Sequence, residues 1–146
     1  HMWTRRQRQM CIRDSANEGS MLNTPNTFGW YVAGKMFDWY LENGGVAEME
    51  KQSIAKTAML YDLIDKSDFY ENPVNPEQRS INNVVFTIVN SELEKVFLEE
   101  AEKADLRYLK GHRTVGGMRA SIYNSMKIES VSALKDFMES FEKNYG

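Results

Sequence analysis

Apolar residues recur at three- and four-residue spacing from Phe28 through Tyr31, Val32, Met36, Trp39 and Tyr40, which predicts an amphipathic helix over Phe28 to Glu42. Thr24-Pro25-Asn26-Thr27 ahead of it reads as a turn, with Pro25 fixing its own φ and Asn26 or Thr27 available as the cap. Asn43-Gly44-Gly45 stops that helix. A second helix is expected over Val46 to Asp65. Its apolar stripe would comprise Met49, Ala55, Ala58, Met59, Leu63 and Ile64, with Lys51, Lys56, Asp62 and Lys66 facing water. Ser67 to Arg79 holds Pro73 and Pro76 and reads as a connection with a short strand near Phe69-Tyr70.

Val84 to Val89 (VVFTIV) is the clearest strand, and its near-continuous apolar character suggests cover on both faces. Ser91 with Glu94 three residues on has the spacing of a capping box, opening a helix lined by Leu93, Val96, Phe97 and Ala101. Leu106 to Leu109 and Met118 to Tyr123 read as short strands. A last helix runs from Ser130 to Lys143, with Val131, Leu134, Phe137, Met138 and Phe141 on one face. The order α-α-β-α-β-β-α suits an α/β fold of the α+β kind. In two layers, an antiparallel or mixed sheet of roughly three or four strands would pack on helices.

The 146 residues suit one domain, and 42% apolar with 27% charged residues places the chain among globular proteins. No run reaches the ~18 apolar residues of a membrane span. Cys11 is the single cysteine, so no disulfide forms within the chain and a reducing, cytoplasmic setting is the default. Arg5, Arg6, Arg8 and Arg13 fall in the first 13 positions, which leaves 14 basic against 21 acidic residues in the rest. A body of that sign is a poor general partner for nucleic acid. His1-Met2 has the look of a cloning remnant, and Arg5 to Ser15 resembles translated sequencing-adapter sequence. Residues 1–15 are therefore set aside as a non-native tail, the other readings being a basic nucleic-acid arm or a targeting peptide.

Against the acidic body, Leu106 to Ile128 contains Arg107, Lys110, Arg113, Arg119 and Lys127 and no acid, together with His112, Gly111, Gly116 and Gly117. Guanidinium forks beside close-approach glycine backbone suit a small dianionic ligand carrying carboxylate or phosphate, and His112 adds a donor. The same residues would also serve a plain hairpin whose arginines pair with surplus carboxylates, and composition leaves both readings open. No His/Cys/acid cluster suggests a metal, no phosphate-binding or dinucleotide glycine motif is present, and no nucleophile elbow accompanies the serines. Trp30, Tyr31, Trp39 and Tyr40 crowd one short helix, which suggests a missing partner or domain against which it packs.

The motifs Asn23-Thr24-Pro25-Asn26-Thr27-Phe28, Asn43 to Met49 (NGGVAEM), Phe97 to Ala101 (FLEEA) and Gly111 to Asn124 (GHRTVGGMRASIYN) stand in the order found in the phosphoserine aminotransferase family. From Ala16 onward the chain resembles the C-terminal portion of these class-V, fold-type-I enzymes. The resemblance implies a homodimer that depends on pyridoxal 5'-phosphate, with a large cofactor domain and a small C-terminal domain. It implies exchange of an amino group between L-glutamate and 3-phosphohydroxypyruvate in serine biosynthesis, and for some members a related step in pyridoxine biosynthesis. On this basis residues 16–27 are the end of a missing cofactor domain and 28–146 the small domain.

Carried over, Arg119 matches the arginine that holds the substrate carboxylate. His112 and Arg113 match the pair at the substrate phosphate, and Asn23 and Thr24 match residues that reach the cofactor phosphate of the other subunit. The family often has a second proline where this chain has Asn26, which loosens the turn that places Thr24. The Schiff-base lysine, the ring-stacking aromatic residue and the aspartate at the pyridine nitrogen belong upstream of Asn23, and no lysine here matches. The expectation is therefore a chain that carries substrate-binding residues, does not bind the cofactor by itself, and is inactive alone. It would need the missing N-terminal cofactor domain and small anionic substrates as partners, and neither nucleic acid nor membrane. A non-catalytic anion-binding or protein-interaction domain is the alternative, and a domain with no present function a third. Ala16 to Asn26 is expected to be poorly ordered or to pack against a neighbouring chain.

Overall fold

The computed structural model describes Arg13, Ala16 to Met21 and Thr24 to Gly146. It divides into two units, one ending at Glu42 and the other running from Asn43 to Gly146. In the first, the polar stretch is not without regular structure: Ala16 and Asn17 are helical and Glu18 to Ser20 form a turn. Helix α1 spans Thr27–Glu42. Asn26 caps it, its Oδ1 accepting from the Gly29 amide at 3.0 Å. A Cβ on Gly29 would sit 2.8 Å from the Asn26 side chain, so the glycine makes room for its own cap. Phe28, Trp30, Tyr31 and Phe37 are exposed along α1, and Trp39 and Tyr40 meet edge to face at 5.2 Å.

The second unit contains helix α2 (Gly45–Ile64), strand β1 (Tyr70–Glu71), a 3-10 turn at Pro76–Gln78, strand β2 (Asn83–Ile88), helix α3 (Leu93–Lys103), strand β3 (Met118–Ser121) and helix α4 (Ile128–Tyr145). The chain order is thus α-α-β-β-α-β-α among the described residues. The three strands form an antiparallel sheet in the order β1-β2-β3. The fold class expected from the sequence is the one observed, although the strands are not all the expected ones. Leu106 to Leu109 is not a strand. Asp105 and Tyr108 have φ of 63° and 62°, which breaks an extended run at both ends. Lys110 alone bridges to β3, opposite Met118.

The register fixes which residues share a face. Tyr70 lies opposite Ile88, Phe86 opposite Met118 and Val84 opposite Ala120, and all six are buried. On them pack α2, α3 and α4, with Phe97 at the centre. The Phe97 ring lies 5.8 Å from Phe86, 5.0 Å from Phe141 and 6.3 Å from Tyr70, each near edge to face. The Tyr70 hydroxyl donates to the Met138 carbonyl at 2.9 Å, which ties the sheet to α4. Glu71, Asn83, Val85, Thr87, Arg119 and Ser121 take the other face. There the β2 residues are only half-buried, so the strand is covered on one side and not on both.

Three further expectations are corrected. The buried face of α2 carries Met49, Ser53, Lys56, Thr57, Leu60, Leu63 and Ile64, while Ala55 and Ala58 are exposed. Lys56, expected in water, is 3% exposed. Ser91 makes no capping box: α3 starts at Leu93, and Asn90 Oδ1 accepts from the Glu92 amide at 3.1 Å instead. Beyond α2, Arg79 grips Asp65 with two bonds of 2.6 and 2.7 Å and lies over the Tyr61 ring at 4.9 Å.

Candidate functional site

The acid-free segment folds as a hairpin that leads into β3. Its neck is closed by the Gly111 amide donating to the Gly117 carbonyl at 2.8 Å, directly beyond the Lys110–Met118 bridge. Both glycines are required there. A Cβ on Gly111 would collide with the Gly116 carbonyl, and one on Gly117 would lie 2.8 Å from the Phe86 carbonyl oxygen. Gly117 also sits at φ 62°. The five-residue tip turns on His112, whose carbonyl accepts from the Val115 amide at 3.0 Å and the Gly116 amide at 2.8 Å.

His112 Nδ1 accepts from the Thr114 amide at 3.3 Å. With Nδ1 accepting, the neutral ring carries its proton on Nε2, an N–H donor on an exposed side chain. Arg113 is next on the same tip and is also exposed. Arg119 follows as the second residue of β3, its amide bonded to the Leu109 carbonyl at 2.7 Å and its neighbours Met118 and Ala120 buried. Strand alternation therefore puts the Arg119 side chain on the face away from the core.

The hairpin thus gathers His112, Arg113 and Arg119 on one short piece of chain. Among the described residues, Lys110, Arg113, Arg119 and Lys127 form no ion pair, whereas Arg107 is bound to Asp105 at 2.8 Å. The pairing alternative accounts for Arg107 alone. An open groove of about 420 Å³ borders Arg119, with Arg107, Tyr108, Ser121, Met126 and Ser130 among its walls. That volume suits a small ligand, and of the two guanidinium groups at its walls that of Arg119 is the unpaired one, since Asp105, which also lines the groove, holds Arg107. A second groove of about 460 Å³ involves Asp62, Lys66, Lys135 and Glu139; there Lys135 and Glu139 already pair at 3.0 Å, and no arginine contributes.

Of the two residues assigned to the cofactor phosphate, Thr24 is exposed in the first unit and Asn23 lies outside the described residues. The sequence reading missed Lys56. Its ammonium donates to the carbonyls of Tyr123 at 3.1 Å and Met126 at 3.0 Å, with that of Asn124 at 3.5 Å. Burial pushes its pKa down. Low-pKa buried lysines are the kind used to form Schiff bases, but here the amine is spent on carbonyls of its own chain. The described residues contain no cluster that could hold a metal and no helix long and apolar enough to cross a membrane. The missed signal was one of phase: Met49, Ser53, Lys56, Leu60 and Leu63 are spaced as one helical face, and the alanines drew the stripe off it.

The sequence pattern of class-V aminotransferases matches residues 5–134. The chain belongs to this family. Among solved structures, the phosphoserine aminotransferase of Bacillus circulans subsp. alkalophilus superposes with a TM-score of 0.86 at 39% identity, covering 92% of this chain and 38% of that one. A pyridoxal-phosphate-bound phosphoserine aminotransferase from Trichomonas vaginalis gives 0.78 at 34% identity, with 88% and 37% covered. A third, from work on the Schiff base of a phosphoserine aminotransferase, gives 0.84 at 38% identity. The chain therefore spans less than two fifths of the length of each of the first two.

Proposed function

We propose that this chain is the C-terminal, substrate-side portion of a phosphoserine aminotransferase, acting in the exchange of an amino group between L-glutamate and 3-phosphohydroxypyruvate. The observation that carries the reading is the hairpin of His112, Arg113 and Arg119, with both guanidinium groups free of acids in an otherwise acidic unit. Arg119 holds the substrate carboxylate by a two-bond fork, and Arg113 with the Nε2–H of His112 holds the phosphate. The glycine neck between them sets the spacing of the two anionic ends, so that the carbon to be aminated is held in one orientation. Thr24 and Asn23 reach the cofactor phosphate of a second subunit in the homodimer. Pyridoxal phosphate, held mainly by the large domain, supplies the electron sink for the transfer. Without that domain the chain binds substrate weakly and catalyses nothing. The setting is cytoplasmic, in serine and, for the same chemistry on a related phosphorylated acceptor, pyridoxine biosynthesis.

Calorimetric titration of the chain with O-phospho-L-serine tests this. Expected is binding with Kd of about millimolar, lost in Arg119→Ala and in Arg113→Ala and absent for L-serine. Equal affinity in the wild type and both variants would refute the assigned roles.

A further inference from the structure

The Arg119 groove owes one wall to a turn that has no regular hydrogen-bonded ladder of its own. After Ile122, whose amide still bonds the Asn82 carbonyl at 2.7 Å, the chain leaves the sheet and reaches α4 through Tyr123 to Lys127. Within this stretch the Met126 amide bonds the Tyr123 carbonyl at 2.9 Å and closes a turn. Met126 and Ser130 then line the groove together with Arg119, Ala120 and Ser121 of β3. Backbone carbonyls at such a turn need donors, and α2 supplies them from below. Lys56 Nζ takes the carbonyls of Tyr123 and Met126 at 3.1 and 3.0 Å, and Ser53 Oγ, one turn earlier on the same face, bonds Asn124 Oδ1 at 3.2 Å. Ser53 and Lys56 are 2% and 3% exposed, so the donor side of each contact is shielded from water. A buried ammonium is costly unless its protons are taken up, and this one is retained where three carbonyls converge.

We propose that Lys56 is a positioning residue for the Arg119 groove: clamped on the Tyr123 and Met126 carbonyls, it holds the turn that walls the groove and so fixes how an anion meets Arg119. The inference rests on the reading of that groove as a substrate-anion site. Lys56 itself touches no substrate. Its role is to keep the Met126 wall and the end of β3 at a constant separation, which Ser53 reinforces from one turn away.

The test uses the chain as it stands, with two readouts. One is amide hydrogen exchange across Arg119 to Met126, and the other the Kd for O-phospho-L-serine from the Arg119 Nε–H resonance. Lys56→Met is expected to speed exchange across that segment and to weaken binding, each by about tenfold or more. Lys56→Arg restores most of both, and Ser53→Ala, a milder variant that keeps the clamp, moves both in the same direction by about twofold to threefold. Phe97→Leu, which loosens the core on α3, lowers the melting temperature while leaving Kd within about twofold. Unchanged exchange in Lys56→Met, or a Phe97→Leu variant that loses affinity as much as Lys56→Met does, overturns the inference. If the wild-type chain shows no response to O-phospho-L-serine, the substrate reading of the groove falls by itself. Exchange then decides alone whether Lys56 holds the turn.

Discussion

Two neighbouring glycines separate backbone strain from steric collision at the neck of the hairpin, and the structure sets the size of each. Gly116 has φ 80° with nothing within 4 Å of an added Cβ. Gly117 has φ 62°, and an added Cβ would lie 2.8 Å from the Phe86 carbonyl oxygen and 2.8 Å from Thr87 Cγ2. Placing an L-residue in the left-handed region costs about 1–2 kcal/mol. Gly116→Ala should therefore destabilise the unit by about 1 kcal/mol. Gly117→Ala adds a collision with the backbone of the central strand, which cannot move without disturbing the Phe86–Met118 pair. Overpacking of this kind adds about 1–3 kcal/mol. The expected loss is about 3 kcal/mol, a melting temperature lower by about 12–20 °C in a unit of this size. Urea denaturation followed by tryptophan-independent far-UV signal measures both variants, with an unchanged slope confirming a common unfolding reaction. Equal losses in the two variants, or a loss in Gly117→Ala below about 1 kcal/mol, would refute the packing described for the neck.

Hydrogen bonds from Arg79 hold the Asp65 carboxyl below its ordinary value of 3.8, so the contribution of the pair is complete above that pH and fades as pH falls further. Because Asp65 is about half exposed, Asp65→Asn should cost only about 0.5 kcal/mol at neutral pH and flatten the acid limb of the stability profile. Burial, and secondarily the Glu142 charge, raise the Tyr70 phenol above its ordinary 10.0, so stability is complete below pH 10.0 and falls above it, where the unfolded chain alone loses the proton. Tyr70→Phe should lose about 1 kcal/mol at neutral pH with its bond to the Met138 carbonyl, and should abolish this alkaline decline. Circular dichroism melts across pH check both.

What the sequence made legible was whatever a local period or composition encodes. Helix α1 and its Asn26 cap, strand β2 and the core face of α4 all follow from spacing and capping chemistry, while α2 begins at Gly45, one residue before the expected Val46. The acid-free hairpin was visible because five basic residues without an acid stand out in an acidic unit. Features set by tertiary contact were not visible. Ser91 and Asn90 both offer a side-chain oxygen to the start of α3, and the Asn90 turn wins by bonding the Glu92 amide. Leu106 to Leu109 has strand-like composition, yet the left-handed Asp105 and Tyr108 turn it into an irregular edge beside β3. Lys56 looked like a surface lysine because its partners are carbonyls about seventy residues away, and only the phase it shares with Met49, Ser53, Leu60 and Leu63 places it on the buried face. The residue number of Arg119 could be read from the motif, but its place on the outer face of the sheet needed the register with Val85.

The proposed function divides the labour, assigning substrate binding to residues of this chain and the Schiff base to a lysine of the large domain. A pyridoxal phosphate titration, followed by borohydride reduction and peptide mass mapping of the labelled lysines, tests it most directly. The account predicts only scattered, non-saturable labelling across exposed lysines, with Lys56 protected in the folded chain. Saturable labelling of a single lysine, reversed by L-glutamate, would contradict it and place a working catalytic centre within these 146 residues.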